Sequence, residues 1–423
     1  MNFQSAREYI VSTVGKVFKY FKRNFKDSSY GIANLLIASL DGFFLNVLLV
    51  RFLSYEDLGN YKLFFSVLNI LILFSINGLG TSVTKAVAKR FSGFFKKAVF
   101  ISALFSLIAS ALLIILAFTY YKDSGIKWAL LVASFVVPIY FGFNTWEPYY
   151  YGKRRFKTVF LLNTLMGSTR FAICAAILLF YRNYFYAIIA YLFIVSVYNL
   201  IYFFWIIKRI KPEEIDKEKE KEYLKHGFRL TGSSAISVIA TNIERIILDS
   251  VSGATMVGIY SVVAVFPTFI KNSLKTLVNV PMVKLAAHPE KDNRIIIKKG
   301  LIIIFLSGII ILAVFWFIVP FLLKIFFEVD DPEIVRYGRL LLVPLIFMPT
   351  NLTIKYLAGY QGTGVSVLKL YTSVDAIKLA LLAIFVPIYK IEGIIIALIL
   401  AEFFTSIILL TWFLRSNRKF DIE

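Results

Sequence analysis

The segment Leu48–Leu71, LLVRFLSYEDLGNYKLFFSVLNIL, holds two apolar runs joined by a short polar turn. Its second run opens with Leu58–Tyr61 (LGNY). About two hundred positions later, the segment Arg245–Phe269, RIILDSVSGATMVGIYSVVAVFPTF, has the same order, with Val257–Tyr260 (VGIY) opening its second run. A glycine at this point suits a turn and a close approach of two helices, and a tyrosine suits the depth of a membrane interface. The two segments predict that the chain is a repeat of two halves.

The composition is that of a membrane protein. Of 423 residues, 59% are hydrophobic, and the mean hydropathy is +0.74. Apolar runs of roughly 20 residues recur along the chain, and about 20 helical residues cross a hydrocarbon core of ~30 Å. Because the runs are continuous rather than alternating, they exclude a membrane β-barrel. We therefore predict an all-α polytopic membrane protein.

The apolar runs predict twelve spans. They lie at residues 30–52, 60–84, 97–119, 127–147, 158–181, 184–207, 229–251, 257–283, 299–323, 335–357, 366–388 and 391–414. The even-numbered loops and both termini are rich in Lys and Arg, whereas the odd-numbered loops are short and poor in them. The tenth loop, GYQGTG, is the exception because it is neutral. The net charge of +21 is mainly this bias, which places both termini in the cytoplasm.

The longest charged loop divides the chain into two halves of six spans. We predict a basic amphipathic segment at residues 1–29, a six-helix bundle at 30–207, a charged cytoplasmic linker at 208–228, a second bundle at 229–414 and a cytoplasmic tail at 415–423. The basic segment would lie on an anionic membrane leaflet. A second match, of residues 150–153 (YYGK) with residues 360–363 (YQGT), supports the repeat. Six spans per half give both halves one orientation, so two parallel bundles would face a central cavity.

Ionisable residues inside spans usually face a cavity or a partner. Spans one, two, seven and eight carry the densest polar stripes, so we predict that they form the cavity walls. The cations predicted to bind substrate are Lys62, Arg245, Lys271, Lys275 and Lys355. Their excess positive charge would attract a phosphate, a pyrophosphate or an acidic sugar. The acidic or polar candidates, for the cavity or for ion coupling, are Asp41, Asn69, Glu244, Asp249, Asn272, Asp375, Lys378 and Glu402.

From the sequence alone, these charges could also have purely structural roles. Glu244 and Arg245 could pair with charges on neighbouring helices. Asp375 and Lys378, three residues apart, could neutralise each other. Lys62 and Lys355 could extend to the membrane interface.

Two further features concern the ends of spans. The aromatic residues at the end of span four, between Tyr140 and Tyr151, are predicted to form an interface belt. Arg51, at the end of span one, is predicted to be an interface and turn residue.

Several kinds of chemistry have no signal in this sequence. There is no Walker lysine loop, and we interpret GLGTS at Gly78–Ser82 as a helix break. The two histidines, His226 and His288, fall in predicted loops, and the one cysteine, Cys174, falls in a span. We therefore predict no metal site, no cofactor, no disulfide and no enzymatic activity.

Two stretches of the first half resemble a known family. Leu48–Tyr61 together with Ile76–Arg90, INGLGTSVTKAVAKR, resembles the opening of the polysaccharide-transporter flippases. These are Wzx-like translocases of lipid-linked oligosaccharides in the MATE-like (MOP) exporter superfamily. The matching residues are Arg51, Leu53, Glu56, Leu58, Gly59, Tyr61, Gly78 and Gly80. The resemblance extends over the whole chain in span number and six-plus-six layout, and it is weaker in the second half.

The resemblance implies a MATE-like fold and a flippase. Such a protein would carry an isoprenoid pyrophosphate-linked oligosaccharide across the cytoplasmic membrane by alternating access, for surface polysaccharide or glycan assembly. In such families cavity cations are thought to hold the pyrophosphate or acidic sugars. The implied partners are the lipid-linked substrate, membrane lipids and glycan-assembly machinery, but not nucleic acid, and we expect a monomer.

Two other functions remain open. A multidrug or cation antiporter of the same fold would need cavity carboxylates, which Asp41, Glu244, Asp249, Asp375 and Glu402 could supply. A membrane glycosyl-transfer enzyme is disfavoured because the outside loops are short.

Overall fold

The computed structural model describes residues 25–121, 125–210, 217–285, 290–361 and 364–420. Within these ranges the chain is helical and contains no strand. Most of the predicted N-terminal segment lies outside the described residues, as do His288, the last residues of the predicted tail and part of the second repeat match. The all-α fold class is confirmed.

The helices are defined as follows. They are α1 (Phe25–Phe52), α2 (Tyr55–Leu71), α3 (Leu79–Ala88), α4 (Phe94–Phe118), α5 (Ile126–Gly142), α6 (Trp146–Gly152), α7 (Phe156–Tyr181), α8 (Tyr184–Ile207), α9 (Lys217–Val263), α10 (Val265–Leu285), α11 (Glu290–Phe327), α12 (Pro332–Leu340), α13 (Met348–Gln361) and α14 (Gly364–Phe420), with 3₁₀ turns at Ile72–Ser75 and Val343–Ile346.

Two of these helices change direction at a single residue. The backbone is non-helical at Gly253 in α9 (φ 77°, ψ 173°) and at Lys390 in α14 (φ 54°, ψ −123°). Each of the two helices is therefore two rods. Other spans consist of two helices in sequence, as α2 and α3 do. Grouped in this way, the described part of the chain forms twelve successive rods.

The length and composition of the helices are those of a multi-pass membrane protein. Among the described residues, eight helices are long and apolar enough to cross a membrane, or nine when one bent pair, Pro332–Ile346 with Met348–Gly359, counts as one span. The two helices broken at Gly253 and Lys390 each count once in that number. The chain is therefore a multi-pass membrane protein.

Corresponding spans of the two halves are interrupted, although at different distances from the repeated glycines. Span two is interrupted between α2 and α3, where Ile76 adopts a left-handed backbone (φ 54°), next to the GLGTS motif. Span eight is interrupted between α9 and α10 at Ala264. Spans four and ten are divided between α5 and α6 and between α12 and α13. Interrupted helices in corresponding positions of two repeats mark the substrate site in many transporters.

The repeated glycines bring the two halves together. A Cβ atom on Gly59 would lie 1.8 Å from the carbonyl oxygen of Ala254, and one on Gly258 would lie 1.8 Å from that of Tyr55. Only glycine leaves room for backbones this close. The tyrosines of the same motifs, Tyr61 and Tyr260, are buried. Their predicted place at a membrane interface is not observed, because this close contact buries the turn that follows each glycine.

The predicted charged linker is in part a helix. The helix of span seven begins at Lys217 rather than at residue 229. Its first turns pack on the first bundle, where Tyr223 lies 6.1 Å from Phe91 and 5.4 Å from Phe94 between ring centroids. Glu220 is buried and forms an ion pair with Lys97. Residues 211–216 lie outside the described part of the chain.

The aromatic residues of span four do not form an interface belt. Phe141, Trp146, Tyr149 and Tyr150 are buried in the first bundle. The indole nitrogen of Trp146 donates a hydrogen bond of 3.1 Å to the side-chain oxygen of Asn199. The break between α5 and α6 turns this segment toward the protein interior, a change that hydropathy does not reveal.

Candidate functional site

A cavity of about 220 Å³ lies between the two halves. Its walls come from α1 and α2 of the first half and from α9 and α10 of the second, the spans whose polar stripes were predicted to face a cavity. Polar side chains on these walls include Ser39, Asn46, Lys62, Arg245, Thr268 and Asn272. A cavity shared by two repeats is the expected place for a transported ligand.

The cavity is closed on one side, and its wall is exposed on the other. We call the side with the turns at residues 53–54 and 253 the hairpin face, and the side with the turns at residues 89–93 and 153–155 the basic face. Toward the hairpin face, the ring of Phe43 packs on those of Phe266, Phe269 and Phe326, with centroid distances of 5.8, 5.3 and 5.3 Å. Toward the basic face, Asn272 of α10, which lines the cavity, is exposed.

Arg51 adds a second closure at the hairpin face. Its Nε and Nη2 atoms donate hydrogen bonds of 2.7 Å to the carbonyl oxygens of Phe326 and Ile325. The same guanidinium lies 3.6 Å from a carboxylate oxygen of Glu328. The last carbonyls of a helix have no partner within it, so an arginine can cap them. Arg51 thus joins α1 of the first half to the end of α11 in the second.

The deepest cations of the cavity are Lys62 and Arg245. The Lys62 ammonium donates to the side-chain oxygen of Asn46, and Arg245 Nη1 lies 3.5 Å from Ser66 Oγ. Each cation also lies 5.8 Å from the ring of a motif tyrosine, Lys62 over Tyr61 and Arg245 over Tyr260. In the described ranges neither forms an ion pair with a carboxylate. Lys62 does not extend to a membrane interface, because Asn46 holds it at the cavity wall.

A second group of cations lies in the second bundle. Lys271 is 4.0 Å from Glu402, and Lys378 is 3.3 Å from Glu244. Lys271 is also within electrostatic range of Lys355. The predicted alternative that Lys378 is neutralised by Asp375 is wrong, because Lys378 extends across to α9.

The last two candidate cations have no carboxylate partner in the part of the chain that the structure describes. Lys355 lies over the ring of Tyr371 at 4.7 Å. Lys275 is exposed one turn after Lys271. Among the described residues, therefore, no carboxylate neutralises either charge.

The other candidates are spread over different places. Asn272 lines the cavity, and Asn69 donates to Asn242 at 3.3 Å across the two halves. Glu402 accepts a hydrogen bond of 2.8 Å from Asn351. Asp249 and Asp375 are half-buried, do not line this cavity and form no ion pair within the described ranges.

Asp41 lies away from the cavity. It forms a buried ion pair with Arg170 of α7, whose Nη1 donates a 3.0 Å hydrogen bond to the hydroxyl of Tyr191. All three residues belong to the first bundle. This arrangement fits a structural pair better than a binding role.

Sequence reasoning missed Asn46, which holds Lys62. Asn46 lies seven residues after Ser39 and four after Gly42, and all three line the cavity. That spacing is one face of a helix. The periodicity could therefore have identified it, although the apolar residues around it hide the signal.

Solved structures with the same fold include transporters of different activities. An inward-facing multidrug resistance MATE family transporter of the MOP superfamily is 16% identical, with a TM-score of 0.63 over 92% of this chain and 94% of that chain. The lipid II flippase MurJ in an inward closed conformation is 16% identical, with a TM-score of 0.68 over 90% of this chain and 86% of that chain.

A third structure with this fold is described by the polarity of its binding pocket. A MOP superfamily transporter from Pyrococcus furiosus, reported to have a binding pocket of reverse polarity that suggests a different function, is 18% identical, with a TM-score of 0.58 over 92% of this chain and 94% of that chain. At these identities the likeness establishes the fold alone.

Sequence comparison gives the family. No curated protein matches the chain. The family model described as polysaccharide biosynthesis protein matches residues 25–284, which is more than half of the chain and includes the repeated motifs, α1 to α9 and the deep cations. The chain therefore belongs to the polysaccharide biosynthesis protein family.

Proposed function

We propose that this protein is a flippase that moves an isoprenoid (pyro)phosphate-linked oligosaccharide across the cytoplasmic membrane. The observation that carries the proposal is the pair Lys62 and Arg245, two cations without carboxylate partners among the described residues, on the wall of a cavity between two bundles. Charges in a low-dielectric site act strongly on a ligand, and a phosphate or pyrophosphate is the anion that such a substrate carries. Membership of the family and the fold shared with a lipid II flippase support this choice.

A multidrug or cation antiporter is the second candidate, because MATE transporters share the fold. A cationic drug needs carboxylates that are free to receive it. In this chain Glu244 and Glu402 already pair with Lys378 and Lys271, and Asp41 pairs with Arg170. The charges at the cavity therefore favour an anionic ligand.

Transport would proceed by alternating access. The phenylalanine cluster and Arg51 close the hairpin face, and Asn272 of the cavity wall is exposed toward the basic face. The excess of Lys and Arg assigns the basic face and both termini to the cytoplasm. In this state the substrate headgroup would enter from the cytoplasmic leaflet. Movement of one bundle against the other would then open the hairpin face.

Purified protein in liposomes with a fluorescent lipid-linked oligosaccharide tests the proposal. We expect the labelled headgroup to become protected from a membrane-impermeant quencher with time, and protein-free liposomes to show no such change. If no translocation occurs but the same liposomes transport a cationic drug, the proposal is wrong and the antiporter is right.

A further inference from the structure

The cations around the cavity fall into two classes. Lys62, Arg245, Lys275 and Lys355 have no carboxylate partner in the described part of the chain. Lys271 and Lys378 each have one, Glu402 and Glu244. All four residues of these two pairs belong to the second bundle.

One residue of each pair is adjacent in sequence to a residue that lines the cavity. Glu244 precedes Arg245 in α9, and Lys271 precedes Asn272 in α10; Arg245 and Asn272 both line the cavity. The Lys378 and Glu244 side chains are only 18% and 10% exposed. Glu244 is also within electrostatic range of Arg245, which lines the cavity, so its pair lies close to the place where a substrate anion would bind, in surroundings where an unpaired charge is costly.

Each carboxylate has a second, neutral partner. The hydroxyl of Tyr260 donates a 2.8 Å hydrogen bond to Glu244 Oε1, and Asn351 Nδ2 donates one of 2.8 Å to Glu402 Oε2. Asn351 is held in turn by the hydroxyl of Ser406 at 2.7 Å. If the lysines turned away, both carboxylates would keep a hydrogen-bond donor.

We propose that Glu244 and Glu402 are resident counter-anions, which the anionic group of the substrate displaces from Lys378 and Lys271. In the empty cavity the carboxylates neutralise the two lysines. When a phosphate or pyrophosphate binds, the ammonium groups turn to it, and Tyr260 and Asn351 remain with the carboxylates. This inference rests on the proposed function, because it takes an anionic headgroup as the ligand.

The consequence is that the two carboxylates compete with the substrate. Removing the negative charge at Glu244 should therefore strengthen anion binding, whereas a carboxylate that merely positions Lys378 would weaken binding on removal. The two readings predict changes of opposite sign.

The test measures the affinity of purified protein in detergent for inorganic pyrophosphate, by calorimetry at fixed ionic strength. We expect Glu244→Gln to bind it about tenfold more tightly than the unchanged protein, the scale typical of one close charge pair. Glutamine can still accept the hydrogen bond from Tyr260. Glu402→Gln should act in the same direction.

Two further variants separate local exchange from general electrostatics. Asp249→Asn removes one negative charge from the same helix, where no ion pair is broken, and should leave the affinity unchanged. In the double variant Glu244→Gln with Lys378→Gln the gain should disappear, as a double-mutant cycle requires. Thermal unfolding of each variant shows that the protein is folded when binding is measured.

Three results would overturn the inference. The first is unchanged or weaker pyrophosphate binding in Glu244→Gln, which includes the case that neither this variant nor the unchanged protein binds pyrophosphate. The second is an equal gain in affinity in Asp249→Asn. The third is a gain in affinity that persists when Lys378 is also replaced. A protein that shows the gain but translocates no lipid-linked oligosaccharide contradicts the proposed flippase alone. A flippase without the gain contradicts only the exchange.

Discussion

Lys62 and Arg245 are held by neutral groups. Asn46 accepts a hydrogen bond from Lys62, and Ser66 lies beside Arg245. The ring of a buried tyrosine, Tyr61 or Tyr260, lies 5.8 Å from each cation. Neutral partners position a cation without cancelling its charge, which remains available to a ligand. The sequence indicates these two cations through their helical faces, but it does not indicate their partners.

At this scale the first prediction concerns transport. Lys62→Gln or Arg245→Gln should each lower the translocation rate of a lipid-linked oligosaccharide by about tenfold or more, since a hydrogen bond to a charged group contributes ~1.5–3 kcal/mol. Folding should be nearly unaffected because no ion pair is lost. Lys127→Gln, at a half-buried lysine over Phe118 that does not line the cavity, serves as the matched control. Full activity in both cavity variants would remove them from the site.

The second prediction concerns the Asp41–Arg170 pair, which should contribute to folding rather than to ligand binding. Asp41→Asn leaves the Arg170 guanidinium buried without its counter-charge, and breaking such pairs costs about 3–5 kcal/mol. We expect a clear fall in the thermal stability of the purified protein. Combining it with Arg170→Gln should restore part of the loss, and an unchanged melting temperature in Asp41→Asn would argue against a structural pair.

At the scale of elements, interruptions of the helices shape the molecule. The break after Leu71 lets α3 pack on the start of α9, where the backbone N–H of Gly78 donates a hydrogen bond of 2.9 Å to Thr231 Oγ1. A Cβ atom on Gly78 would lie 2.3 Å from the carbonyl oxygen of Gly227. The two halves therefore meet at glycines near the basic face as well as near the hairpin face.

The third prediction tests the close contact between the two halves at Gly59. Gly59→Ala would place a methyl group 1.8 Å from the carbonyl oxygen of Ala254, so α2 and α9 would have to separate. Overpacking typically costs ~1–3 kcal/mol, and more when backbone must move. The yield of folded protein by size-exclusion chromatography should fall sharply. Gly232→Ala, with no atom within 4 Å of its added Cβ, should be tolerated; equal yields would contradict the close contact.

The positions of the helices could be predicted from the sequence, but the burial and the contacts of many side chains could not. Twelve apolar runs were sufficient to predict the rods, and the repeated glycines predicted a close approach of helices, but not that this approach joins the two halves. The burial of Trp146 and of Tyr61 was not predicted, because lipid and protein interior are equally apolar and hydropathy does not distinguish them. The partner of Lys378 was also missed: Asp375 is near in sequence, whereas Glu244 is near only after folding.

At the scale of the whole molecule, the asymmetry between the two faces matters most. One face is closed by aromatic rings and an arginine cap, and the other opens beside exposed positions of α10. Orientation in the membrane then decides the direction from which a substrate enters.

The fourth prediction fixes that orientation. Cys174 is buried, so replacing it with Ala gives a background for single cysteines. Glu328→Cys, at a side chain 74% exposed on the hairpin face, should react with a membrane-impermeant maleimide on intact cells. Lys89→Cys, exposed at the basic face, should react only after permeabilisation. The reverse pattern would place the basic face outside and contradict the proposed direction.

The reciprocal contact of Gly59 and Gly258 has a further consequence. Gly59 meets Ala254, and Gly258 meets Tyr55, so equivalent positions of the two halves exchange places across the contact. This is the form of an isologous interface, in which two identical subunits meet about a two-fold axis. At this contact the two halves meet as two subunits of a dimer would, an arrangement that duplication of a half-length gene would produce.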